Sequence, residues 1–378
     1  MHWLDDAIQD LAQRDLLRVP LRITATDATH ASLGGQLVTV FCANDYLGLR
    51  FHPSVVAADR SSFTGAGASR LVSGNDPRHE EAEAALATYV RLEAALVMNS
   101  GYAANVGAIP ALMQDGDAIF SDAFNHASIV DGCRLSRATV HVFPHADVAA
   151  LERLIESQRP FRRGWIVTES LFSMDGDVVP LAEYARIARA DDLHLYVDEA
   201  HAIGVIGPDG RGECARVAIT PDVLVGTLGK ALGGAGAFIA GTASLRTYLW
   251  SRCRTHVFST GLPPALAAAA SSAVRIASTE PRRRERLHAN IQRLRSHLRS
   301  LARPPLSRED SPIIPIVLGN ERVALDVSRA LLCDGFFVQA IRPPTVPPGT
   351  SRLRVTLSAE HTADEIDSFA ASLARHLP

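Results

Sequence analysis

Short apolar runs recur at 36–41, 94–98, 118–121, 139–143, 164–168, 194–197 and 223–226, with helix-length stretches between most of them. Runs that are short and mostly apolar suit strands covered on both faces. Their alternation with helices predicts an α/β fold around a large, mostly parallel sheet. Ligands of such sheets bind outside the carboxyl ends of the strands, so the residues just past each run are where chemistry is expected. The texture changes after Pro263-Pro264. An alanine-rich helix leads to an arginine-rich one with an apolar stripe at Leu287, Ile291, Leu294, Leu298 and Leu301, then strands at 313–318, 336–341 and 352–357 and helices at 322–332 and 363–377. Thr362 and Glu365 have capping-box spacing at the start of the last helix. The expected partition is an N-terminal helix-and-strand segment at 1–42, a large domain at 43–275 and a smaller α+β domain at 276–378. The N-terminal helix is expected over 3–17, from its apolar positions Trp3, Leu4, Ile8, Leu11, Leu16 and Leu17.

The strand ends collect suggestive residues. Asn99-Ser100-Gly101-Tyr102 follows the second run and opens a helix, a geometry that points free N–H groups at an anion. Asn125-His126, Ser173-Met174-Asp175-Gly176-Asp177, Asp198-Glu199-Ala200-His201 and Thr227-Leu228-Gly229-Lys230 follow later runs. Lys230 is the one lysine among 38 cationic side chains. Arginine keeps its proton, whereas a lysine amine can become a neutral nucleophile and condense with a carbonyl. A chain that uses arginine everywhere else points to Schiff-base chemistry at this position.

A lysine-bound aldehyde cofactor with a phosphate and a pyridine ring, namely pyridoxal phosphate, makes further demands. Its ring nitrogen needs a carboxylate to stay protonated, for which Asp198 is placed. Its phosphate needs a helix N-terminus and hydroxyls, supplied by Ser100, Gly101, Tyr102 and Thr227. His126 offers a flat partner for the ring and His201 a donor for the ring hydroxyl. Bland readings stand beside these: Asp198 as a helix cap, His201 as a satisfied histidine, His126 as an ordinary loop residue, Asp175 and Asp177 as turn formers. Arg352, Arg354 and Thr356 share one strand face opposite Leu353, Val355 and Leu357. An arginine there suits a substrate carboxylate, or the face is a solvated edge.

Other classes are disfavoured. A net charge of −3 gives no reason to expect nucleic acid. The histidines lack paired metal-ligand spacing, so no metal is expected. Five scattered cysteines read as reduced thiols, and no window is apolar enough to span a membrane, so a cytoplasmic protein is expected.

Taken together, Asn44-Asp45-Tyr46-Leu47-Gly48-Leu49, Ser69-Arg70-Leu71-Val72-Ser73-Gly74, Asn125-His126-Ala127-Ser128, Phe172-Ser173-Met174-Asp175-Gly176-Asp177, Asp198-Glu199-Ala200-His201 and Thr227-Leu228-Gly229-Lys230 resemble the α-oxoamine synthase family. These are pyridoxal-phosphate enzymes of aminotransferase-like fold, fold type I. The resemblance implies that Lys230, His126, Asp198 and His201 are the catalytic set, with Ser173 beside the cofactor and Thr227 on its phosphate. It implies a homodimer in which Ser259 and Thr260 reach the phosphate of the second subunit. Arg354 and Asn44 would take the amino-acid carboxylate, and Thr345 and Arg18 would face the acyl substrate. The segment Ala340-Ile341-Arg342-Pro343-Pro344-Thr345-Val346-Pro347 is most similar to members that condense L-alanine with a pimeloyl thioester of coenzyme A or acyl carrier protein. The alternative within the family is glycine with an acetyl, succinyl or long-chain acyl thioester.

Overall fold

The computed structural model describes residues 2–60, 63–301 and 306–378, and the chain divides into two units. One comprises Leu47–Ser173 and Asp177–Arg284; the other comprises Met1–Tyr46, Met174–Gly176 and Glu285–Pro378. In chain order the strands are β1 (Ile23–Ala25), β2 (His30–Leu33), β3 (Gln36–Val40), β4 (Ala94–Met98), β5 (Ala118–Asp122), β6 (Thr139–Phe143), β7 (Gly164–Glu169), β8 (Leu193–Asp198), β9 (Val223–Thr227), β10 (Ala237–Gly241), β11 (Ile313–Gly319), β12 (Phe336–Phe337), β13 (Ala340–Ile341) and β14 (Ser351–Thr356).

The first unit is built on a sheet of order β4-β10-β9-β8-β7-β5-β6. Neighbours from β9 to β6 pair in parallel, and β10 alone runs against its neighbours. Two cores form because successive side chains on a strand point to opposite faces. Trp165, Val167 and Tyr196 pack with Ala104, Ile109 and Ile129 on one face. Ile166, Leu195 and Val197 pack with Leu151, Tyr184 and Ile187 on the other. β10 is absent from the strands expected from sequence, since the glycines at 233, 234 and 236 run straight into it and mask its start.

The second unit joins both ends of the chain. β12 pairs in parallel with β3, completing a sheet β1-β2-β3-β12, while β11-β14-β13 forms an antiparallel sheet. Residues 1–46 therefore share a sheet with 336–337, and the helix Pro264–Thr279 runs through residue 276 before the units divide at 285. The single strand expected at 336–341 is two short ones that serve different sheets. The first helix is His2–Gln13 rather than 3–17, because Asp15 takes a left-handed conformation, φ 55°, that an α-helix cannot accommodate. Thr362 and Glu365 do form the expected capping box. β14 is buried along its whole length, arginines included, which removes the solvated-edge reading. Among the described residues no helix is long and apolar enough to cross a membrane.

Candidate active site

In the first unit the expected residues gather at the carboxyl ends of β4, β5, β7, β8 and β9. Asp198 ends β8 at 6 % exposure. Its Oδ2 accepts a hydrogen bond from Asn105 Nδ2 (2.7 Å) and its Oδ1 one from the Ala200 N–H (2.9 Å). Asn105 is fully used: its amide also donates to Ser128 Oγ (2.9 Å), and its carbonyl accepts from the Tyr196 hydroxyl (2.8 Å). Ser128 continues the chain of bonds to His126 Nδ1, with its Oγ at 2.8 Å and its N–H at 3.2 Å. Two donors on Nδ1 leave the proton of the neutral ring on Nε2. The surrounding protein, and after it the positive charge of Lys230, hold the imidazole below its ordinary range against the pull of Asp198. His126 thus meets a ligand as a neutral ring.

Neither Asn105 nor Glu169 was among the expected site residues. Glu169 ends β7 in register with Asp198, is 4 % exposed, and accepts the His126 N–H (2.7 Å). Burial, then the neighbouring Asp198 charge, pushes its carboxyl up to about 8, against Lys230 and that hydrogen bond. A signal for each exists in the sequence. Asn105 is an amide in the apolar helix Gly101–Leu112, and Glu169 is an acidic residue at the end of an otherwise uncharged strand.

Lys230 lies half-buried in the turn after β9. Gly233, at φ 65°, closes that turn where a Cβ would stand 2.4 Å from the Arg50 nitrogen. Thr227 Oγ1 accepts from the Gly229 N–H and donates to the Gly236 carbonyl, both at 3.2 Å. Ser100 caps the helix Gly101–Leu112 by accepting from the Ala103 N–H at 3.0 Å. The first-turn N–H groups of Gly101 and Tyr102 have no intrahelical acceptor, and the space where a Gly101 Cβ would point is open to 4 Å. The Tyr102 hydroxyl donates to Asp131, which pushes its pKa up. His201 is buried three residues past Asp198, on the turn in which Ala202 and Ile203 donate to the Glu199 carbonyl. Ser173 follows Phe172 in the loop after β7. Ser259 and Thr260 lie apart from these residues in sequence, and the Thr260 carbonyl accepts from Asn99 Nδ2 (2.8 Å), beside Ser100. A buried, doubly bonded carboxylate, a neutral imidazole, a lysine and an open helix N-terminus fit pyridoxal phosphate.

In the second unit Arg354 is 6 % exposed, and its Nη1 donates to Asn44 Oδ1 (3.1 Å), which also accepts the Tyr46 hydroxyl (3.2 Å). Arg18 Nη2 lies 3.4 Å from Thr345 Oγ1, so these two expected residues are brought together across 327 positions. Arg352 pairs with Asp175. Asp175 and Asp177 do occupy a turn, built on Gly176 at φ 66°, and their carboxylates are paired as well.

The family model for class I and II aminotransferases matches residues 37–373. Similar sequences include proteins named 8-amino-7-oxononanoate synthase: one from Aromatoleum aromaticum is 46 % identical over 98 % of this chain and 98 % of its own. Another, from Anaeromyxobacter dehalogenans, is 47 % identical over 100 % of this chain and 96 % of its own. Among solved structures, serine palmitoyltransferase from S. paucimobilis with bound PLP–myriocin has a TM-score of 0.94 at 30 % identity, covering 99 % of this chain and 96 % of that one. The 8-amino-7-oxononanoate synthase of Francisella tularensis has a TM-score of 0.76 at 28 % identity, covering 89 % and 97 %. The chain belongs to the class I and II aminotransferase family, among its pyridoxal-phosphate-dependent α-oxoamine synthases.

Proposed function

We propose that the chain is an acyltransferase that condenses L-alanine with a pimeloyl thioester, releasing the thiol and carbon dioxide to leave 8-amino-7-oxononanoate for biotin synthesis. The observation that carries this choice is the identity of 46–47 % over nearly the whole length to proteins named for that product, against 30 % to serine palmitoyltransferase. Fold likeness does not discriminate, since it is higher to the latter.

Bound at Lys230, pyridoxal phosphate supplies an electron sink that stabilises negative charge at the alanine Cα. Asp198 holds the proton on the ring nitrogen, its own position fixed by Asn105 and the Ala200 N–H. His126, neutral so that no second cation stands beside Lys230, would offer its flat face to the ring. His201 donates to the ring oxygen, Ser173 lines the ring, and Ser100, Gly101, Tyr102 and Thr227 receive the phosphate. Lys230 would take the alanine Cα proton at its Nζ. Arg354 with Asn44 binds the alanine carboxylate, and Arg18 with Thr345 faces the acyl chain, carried by coenzyme A or acyl carrier protein. The protein is a homodimer in which Ser259 and Thr260 reach the second subunit's phosphate. Phe258, next to them and 72 % exposed, borders a recess of about 810 Å³ lined by apolar residues such as Leu135 and Val257 and by Arg137, Arg252 and Arg254, a mixed surface suited to a second copy.

The test is the visible absorption of the purified holoenzyme before and after L-alanine and then pimeloyl-CoA, with released carbon dioxide measured. Alanine should shift the cofactor band and the thioester should complete turnover. A response to glycine but not to alanine would overturn the substrate choice and keep the family.

A further inference from the structure

His145 lies just past β6 and belongs to none of the groups that meet cofactor or substrate, yet both of its ring nitrogens are engaged by carboxylates. Nδ1 is 2.9 Å from Asp122 Oδ1 and Nε2 is 2.7 Å from Asp177 Oδ2. A neutral imidazole has one N–H and cannot donate to both, so the ring is an imidazolium. Burial works against that charge, but the hydrogen bonds and charges of Asp122 and Asp177 prevail and push the ring up to about 10.

The two carboxylates belong to different loops of the first unit. Asp122 ends β5, its side chain wholly buried, and makes the turn that leads to His126: Oδ1 accepts the Phe124 N–H (2.8 Å) and Oδ2 the Ala146 N–H (3.1 Å). Asp177 closes the loop that carries Ser173. Its carbonyl accepts the Phe172 N–H (2.9 Å), and the adjoining Leu171 and Val178 form an antiparallel bridge. Among the described residues Oδ1 of Asp177 is buried without a hydrogen-bond partner, so the imidazolium is what compensates this carboxylate. The ring itself touches both loops again. It stacks on Phe124 (centroids 4.6 Å apart, 17° between planes) and meets Phe172 edge-on (4.4 Å, 69°). Phe124 stands two residues before His126, and Phe172 one before Ser173.

We propose that His145 is a positioning residue, an imidazolium strut that fixes the His126 loop and the Ser173 loop relative to each other and so sets the width of the cofactor site between them. The proposal rests on the assignment of His126 and Ser173 to that site and not on the choice of substrates.

Removing His145 leaves two carboxylates facing each other, so the milder perturbation is Asp177→Asn, which releases the Ser173 loop and keeps the His145–Asp122 pair. The test compares Asp177→Asn, His145→Gln and the double variant. For each, cofactor dissociation from the holoenzyme, the visible circular dichroism of bound cofactor and the melting of the cofactor-free protein are measured. Each single variant should hold the cofactor about tenfold more weakly, as expected when a binding group is displaced by a fraction of an ångström. Each should also shrink the dichroic band, and the double variant should lose no more than His145→Gln. Cofactor-free Asp177→Asn should melt near the wild type. Wild-type cofactor retention and dichroism in Asp177→Asn, or losses that add in the double variant, would overturn the proposal; should His145→Gln not fold, Asp177→Asn decides alone. His126→Ala and Ser173→Ala separate the two levels of inference. If they leave cofactor binding unchanged, the site assignment fails; if they weaken it while Asp177→Asn does not, the strut fails.

Discussion

Asn105→Ala removes three hydrogen bonds from a residue that is 1 % exposed. The bond to the Asp198 carboxylate is worth about 1.5–3 kcal/mol, and those to Ser128 and Tyr196 about 0.5–1.5 kcal/mol each. The expected loss is therefore ~2.5–6 kcal/mol, a large share of the ~5–15 kcal/mol that holds a typical domain folded. Tyr196→Phe is the internal control. It removes one neutral bond and leaves Asn105 donating to Asp198 and Ser128, so it should cost no more than ~2 kcal/mol. Urea unfolding of the cofactor-free protein gives both numbers. Turnover should separate the two variants as well, since only Asn105→Ala frees both Asp198 and the Ser128 that orients the His126 ring. Equal costs for the two variants, or an Asn105→Ala protein within ~1 kcal/mol of wild type, would refute the view that this one amide organises the site.

Glu169 gives the cofactor-free protein a distinctive pH dependence. Its carboxyl is raised from 4.5 to about 8 in the fold, so the folded state holds a proton that the unfolded state has lost, and stability falls as pH rises through that window. Glu169→Gln cannot titrate and should lack this limb when melting is compared between pH 5 and 8; an unchanged slope would count against it. Gly176→Ala should destabilise the protein by ~2 kcal/mol or more, because it combines a left-handed backbone with a backbone contact. The φ there is 66°, and the new Cβ would stand 2.4 Å from the Ile313 carbonyl oxygen. Gly335→Ala, also at positive φ but with nothing within 4 Å, should cost distinctly less in the same unfolding assay.

What could be read from the chain alone follows from which interactions are local. Most of the parallel strands announced themselves because burial on both faces demands apolar runs, and β7 shows this with six consecutive buried residues, whereas the edge strand β6 is largely exposed. β12 and β13 could not be separated: Phe336 to Ile341 reads as one strand, and only its partners, β3 for the first half and β14 for the second, divide it. The same distinction runs through the site. Lys230, Asp198, His126 and His201 could be proposed from sequence because the proposed chemistry requires particular residue types at strand ends, and a lone lysine among arginines is conspicuous. Asn105, Glu169 and His145 act through neighbours far off in sequence; Asn105 meets Asp198 from 93 positions away and His145 meets Asp177 from 32. An amide inside an apolar helix or a histidine after a strand has many uses, and nothing local selects among them. The sequence therefore displays the groups proposed to touch the reacting atoms more readily than those that hold them still. Since a buried carboxylate such as Asp198 is useful only while its donors stay in place, the less visible residues decide whether the visible ones work.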